Sequence, residues 1–546
     1  MLFRDCGSCL GIATHDLDAD EMTVMAAFPR LRAAEQEMEQ GRLDAAAVMI
    51  IQHLRENKNE PRGLALLGTV AMKQGALVQS ERFLRDAMRL GARGLEVQRT
   101  LAMVLSQQER LAEALDAFER LEPHVTDSQF RALKGLILDK LGRNEDALEH
   151  YAKVLRDDPD NTQYLIGYGH ALRAANRMDE AITAYRHATT VDPERGEGWW
   201  GLAAIKSKIL TDDDIVTMRE ALQTAVDISN IIPLHFALAR ALHDREQFPE
   251  AFEHYAEGNR LHSSTINYES GELTTEVDTF SRIFRENHFK RQPAFQLDGP
   301  TPVFLISMPR AGSTLLEQML DCHPDIEGVG ELLYIRALLR SGMETYTNRG
   351  CSTVDELILK MSDADKEAMG RDYLERASLH RHRDSRYFID KMPMNWSDVL
   401  FIREILPHAK FVEIRRDPLD CCFSNFTHCF SRAHAASSSL DHMGRAYVDY
   451  VRLFKHFDQV APGLICHVVY EDLVENPEHE LRKVLDYLDL PWDDSLLRFY
   501  ESDRTVRTPS AEQVRRPLNR SGMGAWKPYE EWLGPLREAL GPLANS

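Results

Sequence analysis

The chain has 546 residues, enough for about two to four domains, and its 43% hydrophobic and 28% charged content excludes a collagen-like, mucin-like or wholly disordered chain. Lys plus Arg number 65 against 86 Asp plus Glu, a formal charge of −21 that argues against nonspecific nucleic-acid or anionic-membrane binding; any anionic ligand needs a locally basic pocket. No apolar run approaches a membrane span, Met1–Asp20 is too acidic for a secretory signal, and the chain reads as cytoplasmic.

Eight cysteines at irregular spacing do not form a disulfide framework. Cys6 and Cys9 make one C-x-x-C pair, but no second pair supplies the remaining ligands of a structural zinc, so both read as incidental thiols. The same holds for Cys421, Cys422, His428 and Cys429, which lack tetrahedral ligand spacing, and no metal is expected.

From about residue 27, apolar stripes at helical spacing alternate with short Gly, Asn or Asp breaks. Gly135, Ala147, Tyr151 and Pro159 recur 34 residues later as Gly169, Ala181, Tyr185 and Pro193. Ala34/Ala46/Ile50, Gly68/Ser80/Leu84, Ala102/Ala114/Phe118 and Ala239/Ala251/Tyr255 keep the internal offsets, giving six units. Thr211 to Asn230 is helical without a fixed register and suits one degenerate copy. The pattern resembles the tetratricopeptide repeat, in which small residues let paired helices approach and each hairpin needs its neighbour for burial. Tyr151, Tyr185, Trp199 and Trp200 read as packing residues, and the concave face of such an array is expected to hold a peptide or protein segment. The predicted organisation is an N-terminal extension over 1–26, the array over 27–262, a linker over 263–298 with one short helix near Thr279 to Glu286, and a second domain over 299–546.

Pro302 to Ser307 is a short apolar strand, followed at once by a tight turn and a helix from Ser313 to Leu320. In that turn Pro309, Ala311 and Gly312 shape the backbone, Arg310 supplies charge, and the N–H groups at the helix start, with the Ser313 and Thr314 hydroxyls, can cradle a tetrahedral anion. It lacks the lysine of the G-x-x-x-x-G-K-S/T loop, which weakens a nucleoside-triphosphatase or kinase reading.

Residues 307–331, SMPRAGSTLLEQMLDCHPDIEGVGE, resemble the 5′-phosphosulfate loop region of sulfotransferases that use 3′-phosphoadenylyl sulfate (PAPS), closest to the protein-tyrosine sulfotransferase branch and its bacterial relatives. The resemblance implies an α/β, P-loop-like domain with a central parallel sheet behind the all-α solenoid. It implies PAPS as donor, adenosine 3′,5′-bisphosphate as product, and a hydroxyl-bearing acceptor. By position it implies Glu331 as the general base for a phenol of pKa about 10, with Glu327 in reserve and His323 structural. Lys391, ending the run from Tyr387, aligns with the family's K-x-P-x-N-type lysine, and with Arg310 would stabilise charge on the sulfuryl and departing phosphate oxygens.

Arg416 and Ser424, eight residues apart, carry the family's 3′-phosphate spacing; Arg415 is free to pair with Glu413 or Asp417 instead. Tyr470 follows the strand Leu464 to Val469 and is expected near the adenine. Ser510, Gln513 and Arg516 fall in a basic stretch that resembles the cofactor-covering segment. The reading is a PAPS-dependent sulfotransferase acting on a protein or peptide tyrosine, another phenol, an alcohol or a carbohydrate. The alternative is a repeat scaffold whose second domain binds an adenine nucleotide without turnover. Neither the acceptor, the array's ligand nor an oligomeric state is written in the sequence.

Overall fold

The computed structural model describes residues 28–125, 128–205, 208–291, 294–347, 349–430, 432–502, 516–520 and 522–545. Helical hairpins come first: α1 (Pro29–Glu39) with α2 (Leu43–Glu56), α3 (Pro61–Lys73) with α4 (Leu77–Arg89), and α5 (Leu95–Gln107) with α6 (Leu111–Leu121). Then come α7 (Ser128–Lys140), α8 (Asn144–Asp157) and the hairpin of α9 (Thr162–Ala174) with α10 (Met178–Val191). Next come α11 (Gly196–Ala203) and α12 (Asp212–Thr224), both packed on α13 (Ile228–His243), which forms the last hairpin with α14 (Phe248–Ser264). No described helix is long and apolar enough to cross a membrane.

Local chemistry explains the repeat. Between the two helices of a hairpin the chain turns through a left-handed residue at Gly41, Gly75, Glu109, Gly142 and Asn176, a near-constant step that glycine and asparagine meet at least cost. The small and apolar positions at 34, 46, 50, 80, 84, 102, 114 and 118 are all fully buried. Ser80 Oγ, one of them, donates to Gly68 O at 2.7 Å. The degenerate copy is α11 with α12: 34 residues beyond Ala181 and Tyr185 stand Ile215 and Arg219. A Thr211–Asp214 capping box starts α12, so the cap sets its register where the small-residue signature is lost.

Where the sequence predicts one short helix near Thr279 to Glu286, the chain forms α15 (Ser270–Ile283) and α16 (Glu286–Phe289). Val277 and Phe280 are the buried residues of α15, a sparse apolar stripe that periodicity reads as fading. The elements then alternate as β1 (Thr301–Ile306), α17 (Ser313–Asp321), β2 (Ile326–Gly330), α18 (Tyr334–Thr347), α19 (Val354–Lys360) and α20 (Asp363–Ser378). After β3 (Tyr387–Asp390) come α21 (Val399–Ile405), β4 (Lys410–Arg415), α22 (Pro418–Phe426) and α23 (Leu440–Val460). The remainder is β5 (Ile465–Val469), α24 (Tyr470–Glu475), α25 (Pro477–Leu488) and α26 (Gly534–Leu540).

The described chain forms two compact units, one running to Leu141 and including Arg336–Leu357, the other made of Gly142–Ile335 and Ile358–Ser546. In the first, the early hairpins hold a helix of the same chain. Glu344 of α18 accepts from Val78 N at 2.9 Å and Gln79 N at 2.8 Å, capping α4, while Arg340 donates to Gln107 O at the end of α5 at 2.5 Å.

The second unit contains an all-parallel sheet of order β2-β3-β1-β4-β5. Its strands are apolar runs because both faces are covered. Val303, Leu305, Val412, Ile414 and Val468 pack with Leu316, Met319 and Leu320 of α17 and Leu481, Val484 and Leu485 of α25. On alternate positions Phe304 stacks on Phe411 and lies against Tyr373, which stacks on Phe388. Each buried aliphatic side chain is worth about 1.5–3 kcal/mol.

The late hairpins pack on this sheet domain. Asn259 donates to Phe426 O at 2.8 Å, and Phe252 stacks on Trp532 at 5.1 Å. Tyr151, Tyr185 and Trp199 are buried within the array, as expected, whereas Trp200 also meets His428 edge-on at 5.3 Å, which gives that histidine a packing role.

A Cβ on Gly169 would lie 2.5 Å from the fully buried Tyr185 ring. Gly169→Ala should therefore destabilise the array by about 1–3 kcal/mol. Thermal unfolding followed by circular dichroism checks this; an unchanged midpoint would mean that the ring moves aside freely.

Candidate active site

The strand order decides which side chains can meet. β3, β1 and β4 are consecutive in the sheet, so Lys391, the loop 307–312 and Arg416 follow three adjacent carboxyl ends, about 5 Å apart per strand. Glu331 follows β2 on one side and Tyr470 follows β5 on the other.

The loop is shaped by its backbone. Arg310 has φ 66° and Gly312 φ 101°, and a Cβ on Gly312 would collide with the Tyr470 ring, so only glycine fits there. Gly312 is also the N-cap of α17, which places Ser313 and Thr314 in the first helical turn, both nearly buried. Ala311 is buried. Pro309 O accepts from Asn425 Nδ2 at 2.7 Å, tying the loop to α22.

Arg310, Arg416, Ser424 and Tyr470 are brought together. Arg310 Nε donates to Ser424 Oγ at 3.4 Å, and Arg416 Nη1 donates to Arg310 O at 2.8 Å. Arg416 lies over the Tyr470 ring at 5.1 Å and also donates to Gly522 O, while its Nε is buried without a partner. Burial first, then the like charge of Arg416, lowers the pKa of Arg310 to about 10. Arg415 turns away to Glu413 at 2.9 Å, leaving Arg416 as the arginine at the loop.

Glu331 and Lys391 form the second half of the site. Lys391 Nζ donates to Glu331 Oε1 at 2.5 Å; the lysine side chain is 0% exposed and the glutamate 38%, so the carboxylate is the open end of the pair. The backbone around Glu331 is fixed on both sides. Gly330 N donates to Glu317 at 3.1 Å, Gly330 O accepts from Lys391 N at 2.9 Å, and Leu332 N donates to Asp390 at 3.4 Å. Helix α18 begins only at Tyr334, so Glu331 is not in its first turn.

The neighbouring acid Glu327 is committed elsewhere: it accepts from His382 N at 2.5 Å and Arg383 N at 3.1 Å and pairs with Arg381 at 3.4 Å. His323 is structural, with Nε2 on Pro491 O at 3.0 Å and Nδ1 accepting from Asp325 N at 3.1 Å. Arg516 is exposed and makes no described bond to the loop, and Ser510, Gln513, Cys6 and Cys9 lie outside the described residues. Burial raises the Cys421 thiol to about 12, which makes it inert packing.

Sequence reasoning missed the residues that hold these groups. Asp420 accepts from Gly524 N at 2.7 Å and Ala525 N at 2.9 Å, Tyr447 donates to Arg416 O at 2.6 Å, and Tyr373 donates to Asp390 at 2.8 Å. Only Asn425, one residue after Ser424 in a helix already assigned to the site, had a positional signal.

The arrangement can grip a polyanion at Arg310 and Arg416 and present a carboxylate–ammonium pair beside it. A glycine-shaped loop between a central strand and a helix, with cations on the flanking strand ends, defines a P-loop-like α/β domain of the phosphate- or sulfate-handling class. Residues 302–494 match the sulfotransferase family model and residues 133–203 a tetratricopeptide repeat model. The chain thus carries tetratricopeptide repeats followed by a domain of the sulfotransferase family.

An uncharacterized protein of Aquifex aeolicus is 26% identical over 428 residues, covering 77% of this chain and 56% of that protein. Zebrafish (Danio rerio) protein-tyrosine sulfotransferase 1 is 27% identical over 243 residues, covering 41% of this chain and 65% of that enzyme. The chain thus spans less than two thirds of either relative. The solved sulfotransferase domain from the curacin biosynthetic pathway is 18% identical, aligned over 42% of this chain and 92% of its own, with a TM-score of 0.30.

Asp390 supplies a test of the site's rigidity. Burial raises its pKa to about 8, so between the ordinary carboxyl value and pH 8 the folded chain holds a proton that the unfolded chain releases. That contribution is complete at acid pH and is lost as pH rises to about 8. The thermal midpoint of Asp390→Asn should therefore gain on the wild type as pH goes from 5 to 8.5; a pH-independent difference would refute the protonated state.

Proposed function

We propose that the chain transfers the sulfuryl group of PAPS to a hydroxyl acceptor, with Glu331 as general base. The carrying observation is the contiguity of the strand ends bearing Lys391, Arg310 and Arg416, with Glu331 paired to Lys391. The residues present fit a bisphosphorylated donor. Arg416 has a buried Nε without a partner, Ser424 Oγ stands beside the Arg310 guanidinium, and Ser313 and Thr314 open the helix that follows the loop. When bound, PAPS supplies an activated sulfuryl group and a bisphosphate leaving group.

In this reading Arg310, the N–H groups of residues 311–314 and the Ser313 and Thr314 hydroxyls hold the 5′ end. Arg416 and Ser424 hold the 3′-phosphate, Tyr470 lies near the adenine, and Ser510, Gln513 and Arg516 belong to the covering segment. Glu331, the exposed member of its pair, takes the hydroxyl proton on Oε. Lys391 orients that carboxylate through its hydrogen bond and, with Arg310, would stabilise the negative charge that builds on the sulfuryl and departing phosphate oxygens as the acceptor oxygen bonds sulfur and the bond from sulfur to the bisphosphate breaks. A tyrosine acceptor is favoured by the names of the relatives, protein-tyrosine sulfotransferases, and by the need of a phenol for a base.

Incubation with radiolabelled PAPS and tyrosyl peptides, phenols and carbohydrates tests the activity. Sulfated product is expected; nucleotide binding without transfer to any acceptor would favour the scaffold reading. Glu331→Gln keeps an acceptor for Lys391 but cannot take a proton, so kcat should fall by about 10²–10⁴ while bisphosphate affinity holds. Equal kcat would remove Glu331 from the base role. Arg416→Ala should weaken adenosine 3′,5′-bisphosphate by about tenfold or more and spare adenosine 5′-phosphosulfate, which lacks the 3′-phosphate; parallel losses would contradict the assignment.

A further inference from the structure

Asp420 stands in the first turn of α22, four residues after Arg416 and four before Ser424. Both of its oxygens are spent on the C-terminal segment: Oδ2 accepts from Gly524 N at 2.7 Å and Oδ1 from Ala525 N at 2.9 Å. The carboxylate is 4% exposed, and Arg416 Nη2 lies 3.9 Å from Oδ1, outside hydrogen-bond reach. A carboxylate this near an arginine offered to an anion competes with that anion for the cation. Its charge alone would weaken the site, whereas its two amide bonds bring backbone to it.

That backbone meets the site directly. Gly522 O accepts from Arg416 Nη2, and a Cβ on Gly522 would lie 3.2 Å from the Tyr470 hydroxyl and 3.4 Å from Arg416 Nη2. Gly524 turns the chain at φ 74°, and Lys527 N donates to Gly524 O at 3.1 Å. Farther on, the fully buried Tyr529 packs on Phe423, about one turn after Asp420 on α22. Residues 522–529 are thus tied to α22 at two points, one polar and one aromatic. The first residue of the stretch covers Nη2 of the guanidinium whose Nε is buried without a partner.

We propose that Asp420 is a positioning residue of the anion site: it anchors Gly524 and Ala525 on α22 and so sets the backbone of Gly522 against Arg416 and Tyr470, making the C-terminal segment part of the wall of the site. The segment it holds lies beyond residues 302–494, the extent of the family match. The proposal rests on the preceding reading of Arg416 as an anion-holding arginine and not on the identity of the donor.

The anchor and the charge predict opposite signs, which the near-isosteric Asp420→Asn separates. Loss of the negative charge beside Arg416 would tighten an anion; loss of one of the two amide acceptors loosens Gly522 and weakens it. In calorimetric titration of the full chain, Asp420→Asn should weaken adenosine 3′,5′-bisphosphate by about tenfold, the scale of one charge-assisted hydrogen bond. Hydrogen exchange in the peptide 522–527 should quicken with it. Gly524→Ala keeps the Asp420 charge but strains the left-handed turn, and should weaken the same ligand and quicken the same peptide. Unchanged or tighter binding in Asp420→Asn, or weaker binding without faster exchange over 522–527, would overturn the proposal. Titration with pyrophosphate separates its failure from that of the donor reading. A wild type that binds pyrophosphate but not the bisphosphate, with the same losses in both variants, would sustain the proposal and sink the donor assignment, and one that binds neither would sink both.

Discussion

The site depends on one cross-strand bond, the Arg416 guanidinium donating to the carbonyl of Arg310. It joins the loops after β1 and β4, and it exists because those strands are neighbours in a parallel sheet. Two guanidiniums in one site repel, and Arg310 is half-buried and largely desolvated as well, so its charged state is held in a place that disfavours it. The fold bears that cost because Phe304, Leu305, Val412 and Ile414 are buried in the strands below. Hydrophobic burial in the sheet thus holds positive charge at its rim, where an anion gains more than it would in water.

The same logic sorts the acids. Glu317, Asp390 and Glu331 approach the end of β2 and Glu327 lies at its start, but Glu317, Glu327 and Asp390 are buried and spent on backbone amides. Only Glu331 keeps an open carboxylate, and its neighbours on both sides are fixed by two of the others. In the proposed reaction a carboxylate held this way would lose little orientational freedom when a hydroxyl arrived, which is how preorganisation lowers a barrier. The buried lysine beneath it is paired with this carboxylate, so removing Glu331 would strand a buried charge.

Much of this was legible from the residues. The strand–turn–helix around Arg310 and the runs ending at Lys391 and Arg416 followed from short apolar runs ending in charge, whereas the preference for Glu331 over Glu327 and the pairing of Arg416 with Ser424 came from the resemblance to the sulfotransferase family. β2 was not seen as a strand, because five residues with two glycines carry little strand signal and its stability comes from pairing with β3. The supports Asp420, Tyr447 and Tyr373 were invisible for a related reason: each bonds a backbone or carboxyl group at least 17 residues away in sequence, and no local pattern encodes such a pairing. The 34-residue period gave the hairpins, but not α12, whose start is fixed by a side-chain cap.

How the array ends is a consequence of solenoid physics. Each hairpin buries one face on its predecessor and offers the next to its successor, so the last needs a cap. Here the face of α14 meets Phe426 of α22 and Trp532 of the C-terminal segment, while His243 of α13 meets Tyr529. Phe426 and Tyr529 are buried aromatics and Trp532 is half-buried, unlike the polar outer face of a free-standing terminal repeat. An array cut after Ser264 would present Phe248, Phe252 and the Asn259 amide to water, and a sheet domain without the array would expose Tyr529 and Phe426. The late repeats and the sheet domain therefore pack as one compact unit through a shared apolar face rather than a tether.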